Sequence, residues 1–254
     1  MILGINAGNS YIMFGCMDDN NICFTSRIAT DVLKTPDQYA IEMKNIMQLY
    51  KVDPEKIEGA IVSCVASQLY HVLALTAEKI TGKVPLIIGP GIKTGINIKT
   101  ENPAQVGSDL CATAVAAQAE YPGPTIIISL GTATTMTVVD KTGAYIGGAI
   151  MPGVQISLDA LVASAAQLPE IFLDPPRCLI SPNTVDAIRS GVIFGHAAMI
   201  DGMVENMRLQ LDANATVLAT GLLAPFIIPH CKTDILCDEH LLMKGLRIIY
   251  KKNS

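Results

Sequence analysis

Residues 2–16 read Ile2-Leu3-Gly4-Ile5-Asn6-Ala7-Gly8-Asn9-Ser10-Tyr11-Ile12-Met13-Phe14-Gly15-Cys16, and the fold is decided there. An apolar run, a small polar turn from Asn6 to Ser10 and a second apolar run from Tyr11 to Cys16 form the pattern of two strands around a tight turn. Asp18-Asp19-Asn20-Asn21 turns the chain again, into a third strand from Ile22 to Ile28. The order returns in the second half: Thr125 to Ile128, the turn Ser129-Leu130-Gly131-Thr132, Thr135 to Val139, the turn Asp140 to Gly143, then Ala144 to Ile150. Setting Gly8 on Gly131 aligns the two openings at nearly half the length of the 254-residue chain. Helix and strand patterns alternate after each meander. The expectation is an α/β protein of two similar halves, 1–120 and 121–254, with a ligand cleft between them. A hairpin repeated by chance is the alternative.

Between these openings the periodicity is mainly helical. Thr35-Pro36-Asp37-Gln38 has a capping residue, Pro at the first helical position and Gln to close a capping box, so a helix is predicted from there to Tyr50. Strands are predicted at Gly59 to Ser63 and Val84 to Ile88, around a helix from Gln68 to Ile80 that Gly82 ends. Further helices are expected from Val106 to Glu120, Val154 to Gln167, Asn183 to Leu211 and Glu239 to Tyr250. Short strands are expected at Val217 to Thr220 and Asp234 to Leu236.

Half of the residues are hydrophobic and only 16% are charged, with a net charge of -5. An average soluble domain carries roughly 25% charged residues, so this is a chain with a large apolar interior and not a disordered one. No basic cluster precedes Lys251-Lys252, which argues against a nucleic-acid partner. The uncharged runs Pro122 to Val139 and Ala213 to Cys231 are broken by Gly, Pro, Thr and His, which argues against a membrane span. Met1-Ile2-Leu3-Gly4 lacks the marks of a leader, and the expected location is cytoplasmic. Seven cysteines without a CxxC pair are expected to be free buried thiols, in preference to disulfides or zinc ligands.

Several motifs carry chemistry. Polar turns such as Asn6 to Ser10 and Gly131-Thr132-Ala133-Thr134-Thr135 bring main-chain and side-chain donors close to an anion, so the pair suggests phosphate binding; either alone also makes an ordinary hairpin. Asp109, in Val106-Gly107-Ser108-Asp109, opens an apolar helix. It either complements the helix dipole or accepts a proton from a substrate hydroxyl. Asn183-Thr184 is a helix cap or a ligand contact, and Ala219-Thr220-Gly221 a plain turn or an approach to a nucleotide base. His196, His230 and His240 stand apart without metal-ligand spacing, and the Met-rich stretch Met199 to Met207 suits a core or a subunit contact. Neither G-x-x-x-x-G-K-[ST], G-x-G-x-x-G nor G-x-S-x-G occurs.

Together these stretches resemble the type III pantothenate kinases of the sugar kinase, heat-shock ATPase and actin superfamily. The resemblance runs from Asn6–Ser10 through Asn102-Pro103, Val106–Asp109, Gly131–Thr135, Gly147–Gly153, Asn183–Ile188 and Ala219–Gly221 to Gly245-Leu246. It implies two similar ribonuclease-H-like α/β halves and transfer of the ATP γ-phosphoryl to the primary hydroxyl of pantothenate, the first step of coenzyme A synthesis. It further implies a cytoplasmic homodimer that uses magnesium and a monovalent cation, K+ or NH4+. By resemblance, Asn6, Ala7, Gly8, Asn9, Ser10, Tyr11, Ile12 and Met13, with Gly131, Thr132 and Gly221, would bind ATP. Thr100, Gly107, Ser108, Asp109, Leu110 and Thr184 would bind pantothenate, with Asp109 as the catalytic base and Ser129 at the monovalent-cation position. Where the family has Asp, Arg, Asp, Tyr and Gly, this chain has Asn6, Leu110, Ser129, Thr100 and Leu222. A silent nucleotide-binding or regulatory homologue, or a kinase for another small acceptor, is the alternative.

Overall fold

The computed structural model describes residues 1–164 and 171–254. In chain order its elements are β1 (Ile2–Ala7), β2 (Tyr11–Met17), β3 (Ile22–Ala29), α1 (Pro36–Leu49), β4 (Gly59–Cys64), α2 (Tyr70–Thr81), β5 (Leu86–Ile87), β6 (Asn97–Ile98) and α3 (Ser108–Glu120). There follow β7 (Thr125–Leu130), β8 (Ala133–Val139), β9 (Ala144–Pro152), α4 (Val154–Ser164), α5 (Thr184–Leu211), β10 (Thr216–Thr220), α6 (Ala224–Ile227), β11 (Leu236–Cys237) and α7 (Leu241–Asn253). The chain forms two compact units: Met1–Ile96 with Glu101–Ala119 and His240–Ser254, and Asn97–Thr100 with Glu120–Glu239.

The first unit is built on a mixed five-stranded sheet in the order β3-β2-β1-β4-β5. Antiparallel pairing of β1 with β2 runs from Ile2↔Met17 to Ala7↔Ile12, so the polar turn closes the hairpin as its pattern predicts. Along β1, Leu3, Ile5 and Ala7 point to one face, where they pack with Ile12 and Phe14 of β2 and Tyr39, Met43 and Met47 of α1. Burying each such large side chain contributes about 1.5–3 kcal/mol. The capping box at α1 forms as predicted: Thr35 Oγ1 accepts from the Gln38 N–H at 3.3 Å, and Gln38 Oε1 accepts from the Thr35 N–H at 2.8 Å. On the other sheet face, Gly4 leaves room for Met243 and Leu246 of α7, and Gly245 lets α7 lie against the α3 main chain at Ala112. Residues 111–117 of α3 are all buried, so this helix is apolar all round.

The second unit has a six-stranded mixed sheet in the order β11-β10-β7-β8-β9-β6. Its β7-β8-β9 meander and the parallel partners β10 and β11 repeat the strand order of the first sheet, and β6 adds an edge beside β9. Ile126, Ile128, Leu130 and Met136 pack beneath α4 and α5 on one face.

The differences from the periodicity have local causes. The start expected for α2 at Gln68 is a 3-10 turn over Ser67–Leu69, and the strand expected over Val84 to Ile88 pairs only at Leu86–Ile87. Residues 165–167 of the helix expected to end at Gln167 lie outside the described residues. The cysteines are all free, but Cys23, Cys178 and Cys237 are exposed, which corrects the expectation that all would be buried. No helix among the described residues is long and apolar enough to cross a membrane.

Candidate active site

The predicted site residues fall into groups, each held within one unit. In the first unit, parallel pairing of β1 with β4 sets Asn6 directly across from Ser63. Ser63 is fully buried, and its hydroxyl donates to Asn6 Oδ1 at 2.7 Å while lying 2.8 Å from Ser108 Oγ. A serine hydroxyl has one proton, so with that proton on Asn6 it accepts from Ser108. A half-buried hydrogen-bonded chain thus runs from the strand before the first turn to the first residue of α3, next to Asp109. Ser63 was not among the predicted residues, because its place in an apolar strand reads as core.

Asp109 sits half-buried in the first turn of α3, with Oδ1 accepting from the Leu110 N–H at 2.8 Å. Burial pushes its carboxyl above the usual carboxylate range, and the Leu110 and Asp109 N–H groups only partly oppose that shift. Gly107 makes room for it: a Cβ there would come within 2.6 Å of Asp109 Oδ1, while its other neighbours, Leu110 and Val65, would be at ordinary contact distance. Gly107→Ala is therefore expected to swing the carboxylate out of position. An activity that depends on this carboxylate should then fall at least tenfold, with the melting temperature unchanged; parallel rate and melting measurements check this.

The turn after β1 keeps its shape through a Gly8 N–H bond to Tyr11 O at 3.0 Å and a Thr30 hydroxyl bond to Gly8 O at 2.8 Å. Asn9, Ser10 and Tyr11 are exposed there and Met13 is half-buried. Ala7 and Ile12, by contrast, are in the core, so only their main chain is open to a ligand.

In the second unit the corresponding turn is closed by the Gly131 N–H to Ala133 O at 3.1 Å, with Gly131 and Thr132 exposed. Gly153 packs against the Thr132 carbonyl, and Gly221, at φ +105°, against the Leu130 main chain. Ser129 lies between Thr220 and Thr135 across three strands, so three hydroxyls share one row on the sheet. The Thr135 hydroxyl is buried without a partner. The row is neutral, and among the described residues no group of three or more His, Cys, Asp or Glu could hold a metal. The row could hold a monovalent cation only through neutral oxygens, without the charge that a carboxylate would add.

Thr100 follows β6, and its hydroxyl is buried and unpaired. It is fixed by its neighbour Lys99, whose N–H donates to Tyr145 O at 2.8 Å and whose ammonium lies 3.6 Å from Asp140. Asn183 is the cap of α5, its Oδ1 accepting from the Asp186 N–H at 2.9 Å. Thr184 is exposed beside it, at an open pocket of about 710 Å³ between α4 and α5 whose lining contains neither Thr100, Gly131 nor Thr132.

Two mixed sheets with a shared strand order, each opening on a polar turn, define an α/β protein of two units, consistent with the sugar kinase, heat-shock ATPase and actin superfamily. A solved structure of component A of the (R)-2-hydroxyglutaryl-CoA dehydratase of Acidaminococcus fermentans shares the fold at a TM-score of 0.58, with 13% identity over 99% of this chain and 98% of that one. The type III pantothenate kinase profile matches residues 2–206, and the chain belongs to that family. It is 41% identical over 254 residues to the type III pantothenate kinase of Exiguobacterium sp. strain AT1b, with both chains covered in full. To that of Syntrophus aciditrophicus it is 37% identical, again over the whole of both chains.

Proposed function

We propose that this chain transfers the γ-phosphoryl group of ATP to the primary hydroxyl of pantothenate, giving 4'-phosphopantothenate and ADP. The observation that carries the reading is Asp109: a half-buried carboxylate with a raised pKa, on a helix start hydrogen-bonded through Ser108 and Ser63 to the first phosphate turn. A pKa moved towards neutrality suits a group that must take a proton and later release it. The hydroxyl oxygen attacks the γ-phosphorus, its proton passes to Asp109, and the bond to the β,γ-bridging oxygen breaks. Catalysis is then largely positioning and neutralisation of charge.

In this reading Asn6 to Met13, Gly131, Thr132 and Gly221 receive ATP, and Gly107 to Leu110, Thr100 and Thr184 receive pantothenate. The two meanders are read as duplicated ribonuclease-H-like halves, 1–120 and 121–254, of a cytoplasmic homodimer. Asn6 does not fit as a magnesium ligand: it has no carboxylate, and its Oδ1 already accepts a hydrogen bond. Magnesium would enter with ATP, on its phosphates. The neutral residues Asn6, Leu110 and Ser129 favour, as a second reading, a nucleotide-binding homologue or a kinase for a related acceptor.

The test is ATP-dependent phosphorylation of pantothenate with magnesium, in sodium, potassium or ammonium salts. The expected result is turnover that depends only weakly on which of the three cations is present, because the Ser129 row offers no carboxylate to hold one. No turnover with pantothenate in any salt would exclude the kinase reading.

A further inference from the structure

The sequence leaves Asn6 looking like a loss, a neutral residue at a carboxylate position. Its surroundings give it a different role. A carboxamide carries an acceptor on one branch and two donors on the other. Asn6 Oδ1 accepts from the fully buried Ser63 hydroxyl at 2.7 Å, and among the described residues the side chain makes no other hydrogen bond. Its Nδ2 group is therefore left with both donors unused, on a half-buried residue at the base of the first turn. The turn needs donors there, because the Gly8 N–H is already bonded to Tyr11 O. An anion beside Asn6 favours the same orientation, since the reverse would set Oδ1 against a phosphate oxygen.

We infer that Ser63 is a positioning residue that orients the Asn6 amide as a hydrogen-bond donor to an ATP phosphate. The chain thus holds phosphate at this turn with N–H groups in place of a carboxylate and its metal. Ser63 never touches the nucleotide. It acts through Asn6, and through Ser108 it keeps the same strand in register with the start of α3. The inference rests on the proposed contact of the first turn with ATP, and it adds how that contact is made.

The test is a double-mutant cycle read by direct titration with ATP, with magnesium and again in excess EDTA, so that no turnover is required. Ser63→Ala is expected to weaken ATP binding about tenfold, the equivalent of one misdirected charge-assisted hydrogen bond. In an Asn6→Ala background Ser63→Ala should add no further loss, since the two act as a unit. Asn6→Asp should bind ATP more weakly than wild type in EDTA, because a carboxylate faces phosphate there without a metal. Melting curves of each variant separate these effects from unfolding. Additive losses in the cycle, or Asn6→Asp matching wild type in EDTA, would overturn the inference. So would a wild type that fails to bind ATP. A wild type that binds ATP as described but phosphorylates no pantothenate overturns the proposed reaction and leaves the role of Ser63 standing.

Discussion

Asp109→Asn is expected to lower kcat for pantothenate phosphorylation by about 10²–10⁴-fold, the usual worth of a positioned general base, while ATP still binds. The amide keeps the size of the carboxyl and cannot take a proton. The pH dependence carries the same information. Burial raises the Asp109 pKa, so the rising limb of the wild-type pH–rate profile should lie above the ordinary carboxylate range, and in Asp109→Asn it should vanish. Stability moves the other way. For an acid whose folded pKa is raised, the stabilising contribution is full below the unfolded pKa and is lost as pH rises through the folded value. At neutral pH the ionised Asp109 therefore weakens the fold, and the Asn variant should melt at or above the wild-type temperature. An Asn variant that loses activity because it melts lower would show Asp109 to be structural.

Gly221→Ala is the second large effect. Gly221 follows β10 at φ +105°, a conformation that costs an L side chain about 1–3 kcal/mol. The added Cβ would also press into the Leu130 carbonyl and main chain, which cannot swing aside as a side chain can. The expected result is a melting temperature lower by about 5–10 °C, on the usual scaling for a chain of this size. ATP affinity should be lost with it, because Leu130 leads directly into the Gly131-Thr132 turn. Thermal melts and ATP titration of the variant check both; an unchanged melting curve would contradict the packing at Leu130.

Much of this architecture is legible in the residues. The hairpins β1-β2 and β7-β8 are announced by apolar runs around small polar turns, and Thr35 to Gln38 announce the start of α1, because these signals are local. What escapes is non-local. Ser63 meets Asn6 only because β4 runs parallel beside β1, and nothing within the run Gly59 to Cys64 distinguishes a polar link from a filler. The two-residue strand β6 exists because β9 offers an edge to Asn97 and Ile98, not through any pattern of its own. The cap at Asn183 and the contact candidate Thr184, one ambiguous dipeptide in the sequence, separate into a bonded residue and an exposed one.

The placement of α7 bears on the order in which the protein takes shape during synthesis. Residues 240–254 leave the ribosome only after the whole of 120–239, yet they cover the β1 face at Gly4 and sit against α3 at Ala112. The nearly continuous second unit can complete its own core as it emerges, while the first waits with one apolar sheet face uncovered. The earlier-made part of the chain is then the later to become native, and in that interval its bare apolar sheet face is open to aggregation.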